Sequence, residues 1–202
     1  MYETDVTLLA AAKRERGRGE SNAFEQILKR YEKLIYHIAH RYFANQEDAM
    51  DASQEAILRI YKGLPHVTLD RIDKSNKKDK NGKKDNSDSQ GGYGSLKAWI
   101  CTVTANVCLS ELRKPKMEID SSDWIEAAGT ESSAEESASA RERAKEILSA
   151  MTKLPDDQRI TLILRDMQGL SYDELALATN VSIGTVKSRL SRGRASLKKL
   201  LI

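Results

Sequence analysis

The stretch Ser171–Leu201 reads SYDELALATNVSIGTVKSRLSRGRASLKKLL. Ser171 followed by Glu174 is a capping box: the hydroxyl accepts from the Glu174 amide while the carboxylate reaches back, so a helix begins at Tyr172. That helix is short. Leu175 and Ala178 are its inward side chains, Asn180 is a natural left-handed terminator, and Ser182 caps the next helix three residues after Thr179. Two helices joined by so tight a turn predict a helix-turn-helix. In the second helix Ile183, Val186, Leu190 and Leu197 form the expected buried stripe, which turns Thr185, Lys187, Ser188, Arg189, Ser191, Arg192 and Arg194 outward or partly so. Six Lys or Arg follow Val186, and no acid follows Glu174. Small polar residues at a helix N-terminus fit a major groove about 12 Å wide, where hydroxyls and amides meet phosphates and long cations reach backbone or base edges. The plainer alternative is a solvated basic face that complements the helix dipole. The cap, the short turn and the missing acids favour a polyanion.

Upstream of this stretch, helical periodicity extends over Arg141–Leu154 (Ala144, Ile147, Leu148, Met151) and 156–168 (Ile160, Ile163, Leu164, Met167). From Asn22 to Phe43 the residues Phe24, Ile27, Leu28, Tyr31, Leu34, Ile35, Ile38 and Tyr42 recur at three- and four-residue steps, the mark of a long amphipathic helix. A helix over about 47–62 offers Ala49, Ala52, Ala56, Ile57, Ile60 and Tyr61 for packing and Asp48, Asp51, Gln54, Glu55 and Arg59 to solvent, and Gly63 with Pro65 stops it. Residues 96–112 fit both a helix and an alternating strand. A single strand of that length is rare and no partner strands stand nearby, which favours helix. Residues 66–94 are nearly all Lys, Asp, Asn, Ser and Gly and predict a polar loop, either inert or an added contact. Pro115–Ser139, poor in apolar residues, predicts a tether. The expected fold is all-α: helical domains at 1–114 and 140–202 joined by a flexible acidic linker, 115–139.

The net charge of the 202 residues is only +3, but it is unevenly placed: +4 over 1–114, −5 over 115–152 and +4 over 153–202. Basic blocks flanking an acidic connector suit polyanion partners for the blocks and something positive for the connector. No apolar run approaches the ~18 residues of a membrane span. Leu8–Ala12 runs straight into Lys13-Arg14-Glu15-Arg16, unlike a signal peptide, so a cytoplasmic protein without membrane insertion is expected. Cys101 and Cys108 stand about 10 Å apart along one helix at ~1.5 Å per residue, too far for a disulfide, and read as small buried side chains. His37 and His40 share a helix face without a third ligand, and Gly91-Gly92-Tyr93-Gly94 lacks the Lys-Ser/Thr of a phosphate loop. No catalytic residue, metal or cofactor is expected.

Three blocks together resemble bacterial RNA polymerase sigma factors of the extracytoplasmic-function group. NAFEQILKRYEKLIYHIAHRY with EDAMDASQEAILRIYKGL is similar to that family's region two, SLKAWICTVTANVCLSELRK to its later part, and LPDDQRITLILRDMQGLSYDELALATNVSIGTVKSRLSRGRASLKKLL to region four. The resemblance implies a subunit without enzyme activity of its own that directs core polymerase to promoters. It implies that Asp51, Gln54, Glu55 and Arg59 dock on core polymerase. Trp99, Asn106 and Arg113 would serve the minus-10 element, with Trp99 open between base contact and core packing. Thr185, Lys187, Ser188, Arg189, Ser191 and Arg192 would serve the minus-35 element. An anti-sigma factor is an expected partner, and the acidic connector would thread a positive channel of the polymerase. The departure from the family is the polar insertion, where GGYGSL matches its usual loop only loosely. A stand-alone helix-turn-helix regulator is the alternative reading.

Overall fold

A computed structural model describes residues 4–43, 45–67, 95–111 and 134–202, the last segment with side chains from residue 142. Its described residues form eight α-helices and no strand. The first, α1 (Asp5–Arg16), has no counterpart in the expectations above, because its apolar residues are contiguous rather than periodic. Thr4 and Thr7 cap it reciprocally, and Leu8 and Leu9 are fully buried, each such side chain contributing about 1.5–3 kcal/mol. Its polar groups staple the next two helices. Asp5 pairs with Arg30 and accepts from the Tyr31 hydroxyl. Glu15 accepts from the Ala23 amide at 2.6 Å, and Lys13 and Arg16 donate to the Val67 and Tyr61 carbonyls.

Helix α2 (Asn22–Phe43) has the predicted bounds, and α3 (Gln46–Gly63) is capped by the Asn45 side chain and continues into a 3-10 turn at Leu64–His66. Val67 still belongs to the core; the rest of the polar insertion lies outside the described residues. Residues 96–111 are helical, as α4 (Leu96–Glu111). The helix is buried nearly all round, from Leu96 and Ala98 to Val107 and Cys108, against α2 and α3 on one side and the second half of the chain on the other. A helix with so little solvent face has no amphipathic period, which is why its sequence fits two templates. Thr102 and Thr104 satisfy their buried hydroxyls on the Ala98 and Ile100 carbonyls, both at 2.8 Å.

The second lobe comprises α5 (Ala134–Thr152), α6 (Asp156–Leu162) with a widened π-turn at Ile163–Met167, α7 (Tyr172–Thr179) and α8 (Ile183–Leu200). Helix α5 starts at Ala134, inside the expected tether; 115–133 lies outside the described residues. Among its residues with described side chains burial is confined to Ala150 and Met151, so Ile147, expected inward, is 36% exposed. The predicted single helix over 156–168 instead opens into the π-turn, and Gly169, at φ +76°, reverses the chain.

The lobes are docked. One apolar interior runs from Leu8 of α1 to Leu190 of α8, with α7 lying on α4 and α2 touching both α5 and the π-turn.

Candidate nucleic-acid interface

The turn between α7 and α8 is built by its predicted signals. The Ser171 hydroxyl accepts from the Glu174 amide at 3.2 Å and the Glu174 carboxylate accepts from the Ser171 amide at 2.8 Å. Asn180 adopts the left-handed conformation at φ 53°, and the Ser182 hydroxyl accepts from the Thr185 amide at 3.2 Å. Leu175, Ala178, Val186 and Leu190 are buried as expected; Ile183, also expected inward, is 38% exposed. It stands beside exposed Ser182 and Gly184, so the N-terminal end of α8 lies at the surface with no bulky polar side chain in its first turn.

The cations of α8 fall into two sets. Arg189 turns back to Asp157 of α6 at 3.0 Å, and Arg194 forks onto both carboxylate oxygens of Asp166, which holds its guanidinium above the ordinary arginine range. These two fasten α8 to the rest of its lobe. Lys187 and Arg192 face outward with Ser191, while Thr185 and Ser188 are half-buried beside them. Arg192 rests on Ser188, donating to its carbonyl at 3.3 Å and its hydroxyl at 3.1 Å, and the Lys187 ammonium lies 5.9 Å from the centre of the Tyr172 ring. Of the six candidates on this helix, the geometry therefore brings five onto one open surface and sends Arg189 inward. Its partner precedes it by a whole helical hairpin, so no local pattern reveals the pairing.

On α3, Asp51, Gln54 and Arg59 are exposed and Glu55 half-buried, with Glu55 and Arg59 paired at 2.6 Å. Met50 and Leu58, 46% and 52% exposed, share this face, and a shallow groove is lined by Gln46, Glu47, Met50, Asp51 and Gln54. The sequence reading missed both apolar residues, although both stand out of register with the buried Ala49, Ala52, Ala56, Ile60 stripe. Exposed apolar atoms among carboxylates and amides suit protein docking.

Trp99 and Asn106 lie two turns apart on α4. Trp99 is only 6% exposed and sits under the end of α3, where a Cβ on Gly63 would come within 3.1 Å of its ring. Asn106 is exposed, and Arg113 lies outside the described residues. Burial pushes both the Cys101 and Cys108 thiols up to about 12, and desolvation followed by the nearby Arg41 charge lowers the pKa of His37 and His40.

Residues 27–74 match the family described as Sigma-70 region 2, and residues 144–197 match Sigma-70, region 4. The chain is 28% identical over 198 residues to the ECF RNA polymerase sigma factor SigW of Bacillus subtilis, covering 91% of each protein. It is 35% identical over 132 residues to the ECF RNA polymerase sigma factor EcfG of Rhodopseudomonas palustris, covering 65% of this chain and 72% of that one. In fold it is similar to the sigma factor RpoE of Bartonella quintana, solved in complex with the anti-sigma factor NepR, with a TM-score of 0.60 at 23% identity over 88% of this chain and 96% of that chain.

Proposed function

The chain belongs to the extracytoplasmic-function group of RNA polymerase sigma factors, and from that premise we propose how its surfaces share the work. It directs core RNA polymerase to promoters, reading the minus-35 element with the second lobe and the minus-10 element with the first. The observation that carries the minus-35 assignment is the open face of α8: Lys187, Ser191 and Arg192 exposed beside a capped helix N-terminus, with Arg189 and Arg194 committed to carboxylates. Lys187 and Arg192 supply phosphate or base-edge contacts, Ser188, Ser191 and Thr185 hydrogen-bond at close range, and Arg189 holds the helix at its angle. Asp51, Gln54, Glu55 and Arg59, with Met50 and Leu58, form the docking face for core polymerase.

At minus-10, Asn106 is the exposed candidate and Trp99 supports α4 from beneath; Arg113 completes the assignment made from the sequence. Domain limits at 1–114 and 140–202 remain the working division, the second lobe's first helix reaching back to Ala134. The protein works in the cytoplasm, performs no catalysis itself, and binds an anti-sigma factor, as the Bartonella relative does in its complex with NepR. Membership of the family does not favour a stand-alone regulator. A gel shift on a promoter fragment distinguishes the two: with core polymerase added, a discrete heparin-resistant complex forms that the protein alone does not give. Equally tight binding without core polymerase contradicts the proposal.

A further inference from the structure

We propose that the outer face of α2 is a track for single-stranded DNA, with Lys29, Lys33 and Arg41 meeting phosphates and the Tyr36, His37 and His40 rings meeting bases. Helix α2 turns Ile27, Tyr31, Ile35, Ile38 and Tyr42 inward, and it packs on α1, α3 and α4. Lys29, Lys33, His37 and Arg41 stand four residues apart on the opposite side, away from the helices that carry the core-polymerase and minus-10 candidates. At ~1.5 Å per residue this ridge runs about 18 Å, the length of roughly five stacked nucleotides at ~3.4 Å each.

Lys29, Lys33 and His37 are exposed and Arg41 is half-buried. Among the described residues neither lysine has an ion-pair partner, and Arg41 gives only Nη1, to Met167 Sδ at 3.3 Å. Like charges at this spacing repel, and desolvation followed by the Arg41 and Lys33 charges lowers the pKa of His37 between them. A face that meets only solvent gains from acids interleaved with its cations, and this ridge lacks them. Glu25 stands at the start of the row, where its carboxylate accepts from the Ser21 hydroxyl at 3.1 Å and complements the helix dipole. Exposed Glu32 lies beside the row and pairs with neither lysine. A line of phosphates relieves the repulsion along the whole ridge.

The rings select among polyanions. Tyr36, half-buried on the adjoining row, has its ring centre 5.6 Å from that of His40 and 6.5 Å from that of His37. An acidic peptide needs only the cations, and a duplex keeps its bases stacked inside. Aromatic faces set among cations suit a strand whose bases are open. On the sigma-factor reading above, that strand is one released when the promoter opens.

The test is fluorescence anisotropy of a labelled thymidine oligonucleotide of about twelve nucleotides with the full chain, between about 50 and 200 mM salt. It is run in the Lys187→Gln/Arg192→Gln background, which removes the two open cations of α8. Adding Lys29→Gln/Lys33→Gln, at exposed positions that leave the fold intact, is expected to reduce the slope of log affinity against log salt by about 1.4, ~0.7 for each lost phosphate contact. Tyr36→Leu is expected to weaken binding about five- to a hundred-fold with the slope unchanged. The His37 ring-proton resonances are expected to shift on adding the oligonucleotide. An unchanged slope in the lysine variant, undiminished affinity in Tyr36→Leu, or equally tight binding of the matching duplex or of a glutamate oligomer overturns the track. No core polymerase enters this measurement, so its failure strikes the track alone. Promoter-directed transcription by the parent is measured in parallel, and its absence defeats the sigma-factor reading while leaving strand binding on α2 in place.

Discussion

Asn180 and Arg189 mark the two ends of what a single residue discloses. Asn180 is legible because its cause is local: a side chain that tolerates φ 53° ends α7 and begins the turn. Arg189 is not, since its ion pair with Asp157 exists only once α6 and α8 are packed. The buried thiols were legible in kind, as small apolar side chains, and their burial has a consequence in solution. Unfolded cysteine ionises near 9.0, whereas Cys101 and Cys108 hold their protons to about 12 in the fold. Between those values the unfolded chain binds fewer protons than the native one, so the thiols' contribution to stability is constant below pH 9 and then falls with rising pH. The limiting slope is about 1.4 kcal/mol per pH unit for each thiol. Thermal unfolding followed by circular dichroism from pH 7 to 10.5 should show this decline, reduced in the Cys101→Ser/Cys108→Ser variant. Equal slopes in parent and variant contradict it. Tyr31, raised by burial and its bond to Asp5, adds to the decline above about pH 10 in both proteins.

At the scale of elements, α8 sits where it does because of one absent methyl group. A Cβ on Gly193 would lie 3.0 Å from Leu162 Cδ1 and 3.3 Å from Gln158 Cβ, so α8 approaches α6 more closely than an ordinary residue allows. Gly193→Val is therefore expected to destabilise the protein by about 1–3 kcal/mol through overpacking, seen as a lower urea midpoint. An unchanged midpoint means that α6 and α8 are not in this contact. Amphipathic α2 and α3 and the capped pair α7 and α8 were readable because period and cap are written in adjacent residues. Helix α1 was not: its leucines and alanines are contiguous, and its anchors, Arg30, Tyr31 and the Tyr61 and Val67 carbonyls, lie on other elements. The early start of α5 escaped for a related reason, since Ala134–Ser139 carries helix-forming residues without an apolar stripe.

For the whole molecule, the order of the two lobes was legible from the resemblance, and the open cationic face of α8 from its sequence. Their docking was not, because the Arg159 bond to Tyr42 joins residues 117 positions apart. Nor were the inward turn of Arg189 or the exposed Met50 and Leu58, which depend on which faces the packed helices leave uncovered. On the proposed function, the first lobe grips core polymerase while α8 places the complex on promoter DNA. This division is tested most directly by run-off transcription of genomic fragments with purified core polymerase, 5′ ends mapped by sequencing, comparing the parent with Lys187→Glu/Arg192→Glu. Discrete promoter-directed transcripts that require this protein are expected, falling by at least about thirty-fold in the variant, since two contacts worth ~1–3 kcal/mol each are lost. Transcripts that are independent of the protein, or undiminished by the charge reversal, would contradict it.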